Sequence, residues 1–278
     1  MIMRNVALVS ETDSVSFSEL TRVSAALQKQ AIRDLSPVWD IQATVDTFAN
    51  LEDVPVGSWP IVLEDDIHEQ GAAGIHEDSD GQPFALVTAE DGWSLTASHE
   101  LVEMLVDPFG RRLTEGQSNK PGQGRVQFLV EPCDPSEAVE FAYVIDGVTV
   151  SDFYMPKYFS TQFNPADQYS HTGAIKRPRQ VLRGGYISWH DPVTDHWFQE
   201  TFFTGNKSRF RDLGKLTASA KSFRRQIYDV THEAFQARRP KGKELKDLTL
   251  AMSAPASSTS SRATLWREQI AAIKGGNA

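Results

Sequence analysis

The sequence predicts an α+β fold: a strand-rich first part with two helices, a β-rich second part, and a basic helical tail. Three observations carry that expectation. In the first 110 residues, short apolar or alternating runs of strand type are broken by only two stretches of helical period. Residues 111–203 hold shorter runs bounded by Asp-Gly, Pro and Gly-rich turns. Residues 204–278 are basic, with 15 Lys+Arg against 6 Asp+Glu, whereas the preceding 203 residues hold 13 and 31, a net of −18. Those limits divide the chain into 1–110, 111–203 and 204–278.

The elements follow in order. Asn5-Val-Ala-Leu-Val9 is a continuous apolar run and predicts a central strand. Ser16 or Ser18 caps a helix on which Leu20, Val23, Leu27, Ile32 and Leu35 keep the helical period, and Ser36-Pro37 ends it. Residues 41–48 alternate as a half-buried strand, and Trp59-Pro-Ile-Val-Leu63 is a third. Asp80-Gly81 marks a hairpin between a Gly-rich edge strand (71–79) and the apolar Phe84–Thr88. A second helix follows from Trp93, with Ser94 or Thr96 as N-cap and Pro108 as its stop.

Beyond it, residues 110–124 are polar and Gly-rich and predict a surface loop. Val126–Val130 is a strand delivering the turn Glu131-Pro-Cys-Asp-Pro135. Residues 141–150 form a hairpin about Asp146-Gly147, an aromatic stretch (151–159) packs beneath the second helix, and residues 184–201 form a last hairpin. In the tail, residues 215–237 predict a long helix, 253–261 a Ser/Ala/Pro-rich linker, and 262–274 a short amphipathic helix.

Chemistry concentrates on the second helix, Trp93-Ser-Leu-Thr-Ala-Ser-His-Glu-Leu-Val-Glu-Met-Leu-Val-Asp107. His99 and Glu103 are four apart, so they project from one side of the helix, one turn apart. Imidazole nitrogen and carboxylate oxygen both bind zinc at about 2.0–2.2 Å, and a catalytic site keeps one position open for water. A third ligand must come from elsewhere: Glu131 and Asp134, on a strand-to-loop junction, are the first candidates. Asp107 is a rival better suited to orienting a ligand. Cys133 is a weaker one, because a lone small cysteine is more often buried and inert. Tyr154 and Tyr158 are candidate hydrogen-bond donors to a developing oxyanion, set against ordinary core packing. The other histidines show no paired ligand spacing, although His76, on the expected edge strand, and His171, in a loop, are placed to approach a cleft.

The order strand, helix, strand, strand, edge strand, strand, helix over residues 4–110 resembles the N-terminal half of zincin-like metallopeptidases. His99-Glu-Leu-Val-Glu103 is similar to their His-Glu-x-x-His helix, with Glu in place of the second His. The longer stretch Thr96–Pro108 resembles a phage and bacterial group of zincin-like proteins carrying His-Glu-x-x-Glu. The resemblance implies a twisted mixed sheet with a backing helix and an active-site helix. It implies zinc as cofactor, and an edge strand (Gly74-Ile-His76) that pairs with a peptide or protein substrate. It also implies Glu100 as general base on a metal-activated water. The wide spacing from Glu103 to Glu131 resembles gluzincins, whose third ligand is a downstream Glu.

Composition excludes other classes. The acidic body argues against nucleic-acid binding, which depends on neutralising phosphates. No apolar run reaches about 18 residues, and the start is too short and too soon acidic for a secretory signal, so neither membrane nor export is expected. One cysteine allows no internal disulfide, which fits a reducing, cytoplasmic setting or a place in a virion or other assembly. No phosphate loop, dinucleotide fingerprint or Gly-x-Ser-x-Gly elbow is present. The basic tail is suited to an acidic protein partner or to the protein's own body. The alternative to a hydrolase is a non-catalytic zincin-like component of a phage or bacterial assembly.

Overall fold

In a computed structural model, residues 3–217, 219 and 221–236 are described. The linker and terminal helix expected after residue 237 lie outside these residues. The fold is α+β, with two five-stranded sheets, a small hairpin and few helices. Among the described residues, no helix is long and apolar enough to cross a membrane.

The first sheet holds β1 (Met3–Ser10), β2 (Gln42–Thr47), β3 (Trp59–Glu64), β4 (Gly74–Ser79) and β5 (Gln82–Thr88), in the order β2-β1-β3-β5-β4. β1, β2, β3 and β5 run parallel, and β4 joins antiparallel at the edge through the Asp80-Gly81 turn. Alternate residues of a strand share a face. Val6 and Leu8, Ile61 and Leu63, Ala85 and Val87 accordingly meet one core with both α1 (Phe17–Lys29) and α3 (Trp93–Val106).

α1 begins as expected, with Ser16 Oγ accepting from Glu19 N–H at 3.2 Å. It does not end at Ser36-Pro37. A wider π segment, Gln30–Leu35, carries the chain into a further helical turn, α2 (Ser36–Trp39), which stops at Asp40 in the left-handed region. The π turn points buried Gln30 at Ser98 and Ser151, so the helix is tied to α3 and to the loop behind it. α3 also departs at its start. It begins at Trp93 behind Gly92 with no side-chain cap, and Ser94 Oγ donates to Thr149 O at 3.0 Å. Its end, with Asp107 as C-cap ahead of Pro108, is as expected.

The second sheet holds β6 (Leu113–Gln117), β7 (Arg125–Leu129), β10 (Tyr186–Asp191), β11 (His196–Thr201) and β12 (Arg209–Gly214), in the antiparallel order β12-β11-β10-β7-β6. β8 (Tyr143–Ile145) and β9 (Val148–Val150) form the expected small hairpin. β6 lies in the stretch whose composition reads as loop, and β12 carries the sheet past residue 203. Both are edge strands. An edge ladder needs only backbone groups on one side, so polar side chains there leave no apolar pattern. The tail helix, α4, spans Phe223–Gln236 instead of starting at 215; Ser222 Oγ accepts from Arg225 N–H at 2.9 Å where the chain turns helical.

Candidate metal centre

α3 is buried along most of its length, yet it carries two carboxylates inward, Glu100 and the fully buried Glu103. A buried carboxylate is costly unless it is paired and hydrogen-bonded, so its partners define the site. Glu103 Oε2 lies 3.3 Å from His99 Nε2, 3.3 Å from Arg224 Nη2 and 3.8 Å from His76 Nδ1. Its Oε1 accepts from Cys133 N–H at 3.2 Å. Glu100 Oε2 stands 3.3 Å from His76 Nδ1 and 3.6 Å from Arg224 Nη2. Asp134 Oδ1 is 3.5 Å from His99 Nε2, and Glu131 Oε2 accepts from Arg224 Nε at 3.0 Å.

The structure therefore gathers His99, Glu100, Glu103, Glu131 and Asp134 at one point. They line a cavity of about 470 Å³, except Glu103, which is seated behind it. The cavity is bounded by residues 71–74 leading into the edge strand, by α3, by the end of β7, by the start of β10 and by α4. Gly74 makes the close approach of strand and helix possible. A Cβ there would stand 2.6 Å from Thr96 Cγ2 and 2.8 Å from Glu100 Oε1.

Two further residues join the cluster without a local sequence pattern that marks them as part of it. His76 is buried; its Nε2 is 3.1 Å from the carbonyl oxygen of Asp107, which fixes the ring and turns Nδ1 toward Glu100. Asp107 thus orients a histidine through its backbone, while its carboxylate accepts from the N–H groups of Arg111 and Arg112 at 3.1 and 2.7 Å. Arg224 comes from α4, beyond any local pattern.

Tyr154 and Tyr158 follow the core-packing alternative and do not reach the cavity as oxyanion donors. Their rings stack at 4.4 Å inside the second core with Phe128, Phe159 and Trp189, and neither lines the cavity. Tyr158 Oη donates to Gln180 O at 3.1 Å. Their large apolar surface is what draws them between the elements. Tyr186, at the start of β10, is the tyrosine that lines the cavity. His171 stacks on Phe153 with ring centroids 5.2 Å apart and does not cover the site.

The donor set fits a small divalent cation. A tetrahedral zinc with bonds of about 2.0–2.1 Å holds its ligand atoms roughly 3.3–3.4 Å apart. The His99–Glu103 and His99–Asp134 separations, 3.3 and 3.5 Å, match that edge. They are long for direct charge-assisted hydrogen bonds, which run at about 2.7–2.9 Å. Glu131 Oε1 and Asp134 Oδ1 are among the buried carboxylate oxygens of the described residues that make no hydrogen bond, a state that an ion would explain; Asp134 Oδ1 has His99 Nε2 as its near neighbour at 3.5 Å. Glu103 also belongs with His99 and Cys133, with His76 and Glu100, and with Glu131 and Asp134 in groups whose donor atoms lie within 4.8 Å of one another.

Electrostatics agree with crowded negative charge. Burial would push the His99 imidazolium down, but Glu103 and Asp134 outweigh it and hold His99 well above its usual value. Burial would raise Glu103, yet His99 and Arg224 hold it well below the carboxylate range. Burial and the charge of Glu103 push Asp134 up to about 8 and Glu131 well above its usual value. Burial likewise pushes the Cys133 thiol well up, which removes it as a ready thiolate. Burial, then the charge of Asp134, raises Tyr186, so its phenol stays a donor. Comparison of the chain with protein-family models, with curated proteins and with solved structures returned no match.

Proposed function

We propose that the chain is a zinc-dependent hydrolase of peptide or protein substrates, built on a zincin-like scaffold. His99, Glu103 and Asp134 would hold the ion. One observation carries this above the rest: His99 Nε2 lies at about the edge length of a zinc tetrahedron from both Glu103 Oε2 and Asp134 Oδ1, at the wall of a cavity bordered by an edge strand. The sheet order with one antiparallel edge strand beside α3 supports the scaffold. Between the two carboxylates first considered as third ligand, Asp134 is favoured. Its Oδ1 lies 3.5 Å from His99 Nε2, whereas Glu131 is paired with Arg224.

Bound zinc would supply Lewis acidity toward a carbonyl oxygen and a water. The chain's own residues do the remainder. Glu100 takes a proton from the attacking water and returns it to the leaving amine. His76, locked by the Asp107 carbonyl, holds the Glu100 carboxylate in place. Tyr186 donates to the oxygen on which charge develops. Residues 71–74 and the unpaired side of β4 offer backbone groups to an extended substrate.

Elemental analysis of the purified full chain tests the centre: about one equivalent of zinc is expected, lost in His99→Ala. Protein that takes up no zinc at all sinks the proposal. Glu100→Gln should keep zinc and abolish cleavage of an unstructured protein substrate; surviving cleavage removes Glu100 as base.

A second reading has one observation in its favour. Arg224 already neutralises part of the carboxylate cluster, as a non-catalytic zincin-like binding or structural component would require. The same metal analysis separates the two.

A further inference from the structure

Arg224 meets the carboxylates of the cleft as a cation would. Its Nη2 lies 3.3 Å from Glu103 Oε2 and 3.6 Å from Glu100 Oε2, while Nε donates to Glu131 Oε2 at 3.0 Å. The planar fork of a guanidinium suits several carboxylates at once. The side chain does not reach in by itself; the whole of α4 is seated for it. Arg224 N–H donates to Gly110 O at 3.2 Å, and a Cβ on Gly110, whose φ is +56°, would stand 2.9 Å from Arg224 Cβ. Phe223 packs on Trp197 with ring centroids 4.9 Å apart, and buried Ile227 joins Leu129 and Trp197. On the other side, Arg225 pairs with Glu69 and lies 3.6 Å from Glu77, and Tyr228 Oη donates to Gln70 O at 2.6 Å. Arg224, Ile227, Tyr228 and Thr231 recur at helical spacing and all line the cavity, so one face of α4 is its lid.

We propose that α4 is an intramolecular plug, and that the Arg224 guanidinium competes with the divalent cation for Glu103 and its neighbours. This rests on the metal-centre reading and adds its regulation. The oxygen that Arg224 approaches, Glu103 Oε2, is the same atom that stands 3.3 Å from His99 Nε2. A cation shared between Glu103 and His99 must therefore displace the guanidinium or repel it at close range. Metal binding and the docking of α4 are then coupled: each weakens the other by the same factor.

The test is calorimetric titration of zinc into the full chain at pH 7, comparing wild type with Arg224→Gln. Arg224→Gln should bind zinc at least tenfold more tightly, with Arg224→Lys between the two. Equal or weaker binding in Arg224→Gln overturns the plug while leaving the metal centre standing; absence of binding in both proteins overturns both. A second measurement needs no variant and so does not depend on one folding. Hydrogen–deuterium exchange of wild-type amides 226–236 should accelerate when zinc is added. Unchanged protection of that helix in zinc-saturated protein overturns the plug.

Discussion

Raising the pH should tighten zinc binding steeply, and the slope follows from the buried groups. Without metal, burial and the charge of Glu103 push Asp134 up to about 8. His99 is held well above its usual value because Glu103 and Asp134 outweigh its burial. At pH 7 Asp134 therefore still carries a proton, and the raised His99 holds its own proton more tightly than an ordinary imidazole. A cation needs a neutral imidazole and an ionised carboxylate, so forming the complex releases both protons. For Asp134 alone the cost is about 1.4 kcal/mol at pH 7 and about 2.7 kcal/mol at pH 6, at ~1.36 kcal/mol per unit. The Asp134 proton alone makes the apparent affinity rise about tenfold per pH unit below 7.5, and the His99 proton steepens that rise. Ordinary exposed carboxylates, already ionised, would give almost no such slope.

Isothermal titration at pH 6.0, 6.5 and 7.0, in two buffers of different ionisation enthalpy, counts the released protons directly. More than one per zinc is expected at pH 6.5, the first from Asp134 and the remainder from His99. Asp134→Asn should remove the first of these and make the slope shallower by about tenfold per unit. Fewer than one proton per zinc, or an unchanged slope in Asp134→Asn, refutes the assignment of His99 and Asp134 as ligands.

The same shifts bear on stability. In the unfolded chain Asp134 ionises near 3.8, while the native state resists to about 8, so the native state binds more protons and metal-free stability falls as pH rises from 5 to 8. The slope is about 1.4 kcal/mol per unit from this group, and His99 adds to it above its unfolded value. Thermal melts with chelator should show the fall, saturating zinc should remove it, and a flat metal-free profile would count against the buried titration. Gly74→Val should push the edge strand off Thr96 and Glu100, costing about 1–3 kcal/mol by overpacking and most of the turnover; denaturant melts and cleavage assays read both, and wild-type values would show that strand and helix are not so tightly apposed. Ser98→Ala removes a buried hydroxyl that donates to Gln30 Oε1 at 2.7 Å and accepts from Ser151 N–H at 2.8 Å. About 1–3 kcal/mol of stability should be lost with zinc stoichiometry intact, and a loss of zinc instead would place Ser98 closer to the centre than its contacts do.

The parts of the fold that sequence reasoning recovered are those written in local chemistry. α3 has its own apolar run and a proline stop, and the Asp80-Gly81 and Asp146-Gly147 turns carry their left-handed preference in the residues themselves. Glu131 and Asp134 were accessible because a strand ending in a Pro-bounded turn has few places to put its carboxylates. Other parts depend on what the chain meets after folding. β6 and β12 need no apolar pattern because they are edges, and the π segment of the first helix answers to Ser98 and Ser151, far away in sequence. Tyr154 and Tyr158 follow a shared rule, burial of aromatic area, that points equally to a cleft or a core. Arg224 had a single trace, the basic C-terminal region set against an acidic body. Arg224 and Arg225 show that contrast turned inward, onto Glu100, Glu103, Glu131 and Glu69.

A glutamate at position 103 has a physical reason in those surroundings. Glu103 answers donors from four directions: His99, Arg224, His76 and the backbone N–H of Cys133. A neutral imidazole has one lone pair and one N–H, so histidine at 103 would satisfy one of these donors and turn a proton toward another. The carboxylate is thus required by the cluster as built, whether or not an ion is bound. It has a chemical consequence in the proposed centre. Two anionic ligands, Glu103 and Asp134, cancel the formal charge of Zn²⁺, so the ion is held firmly but makes a water less acidic than a histidine-rich set does. Efficient turnover would then depend more heavily on Glu100 as base and on the donors around it. His76, locked between Asp107 and Glu100, is the feature of this site that meets that need.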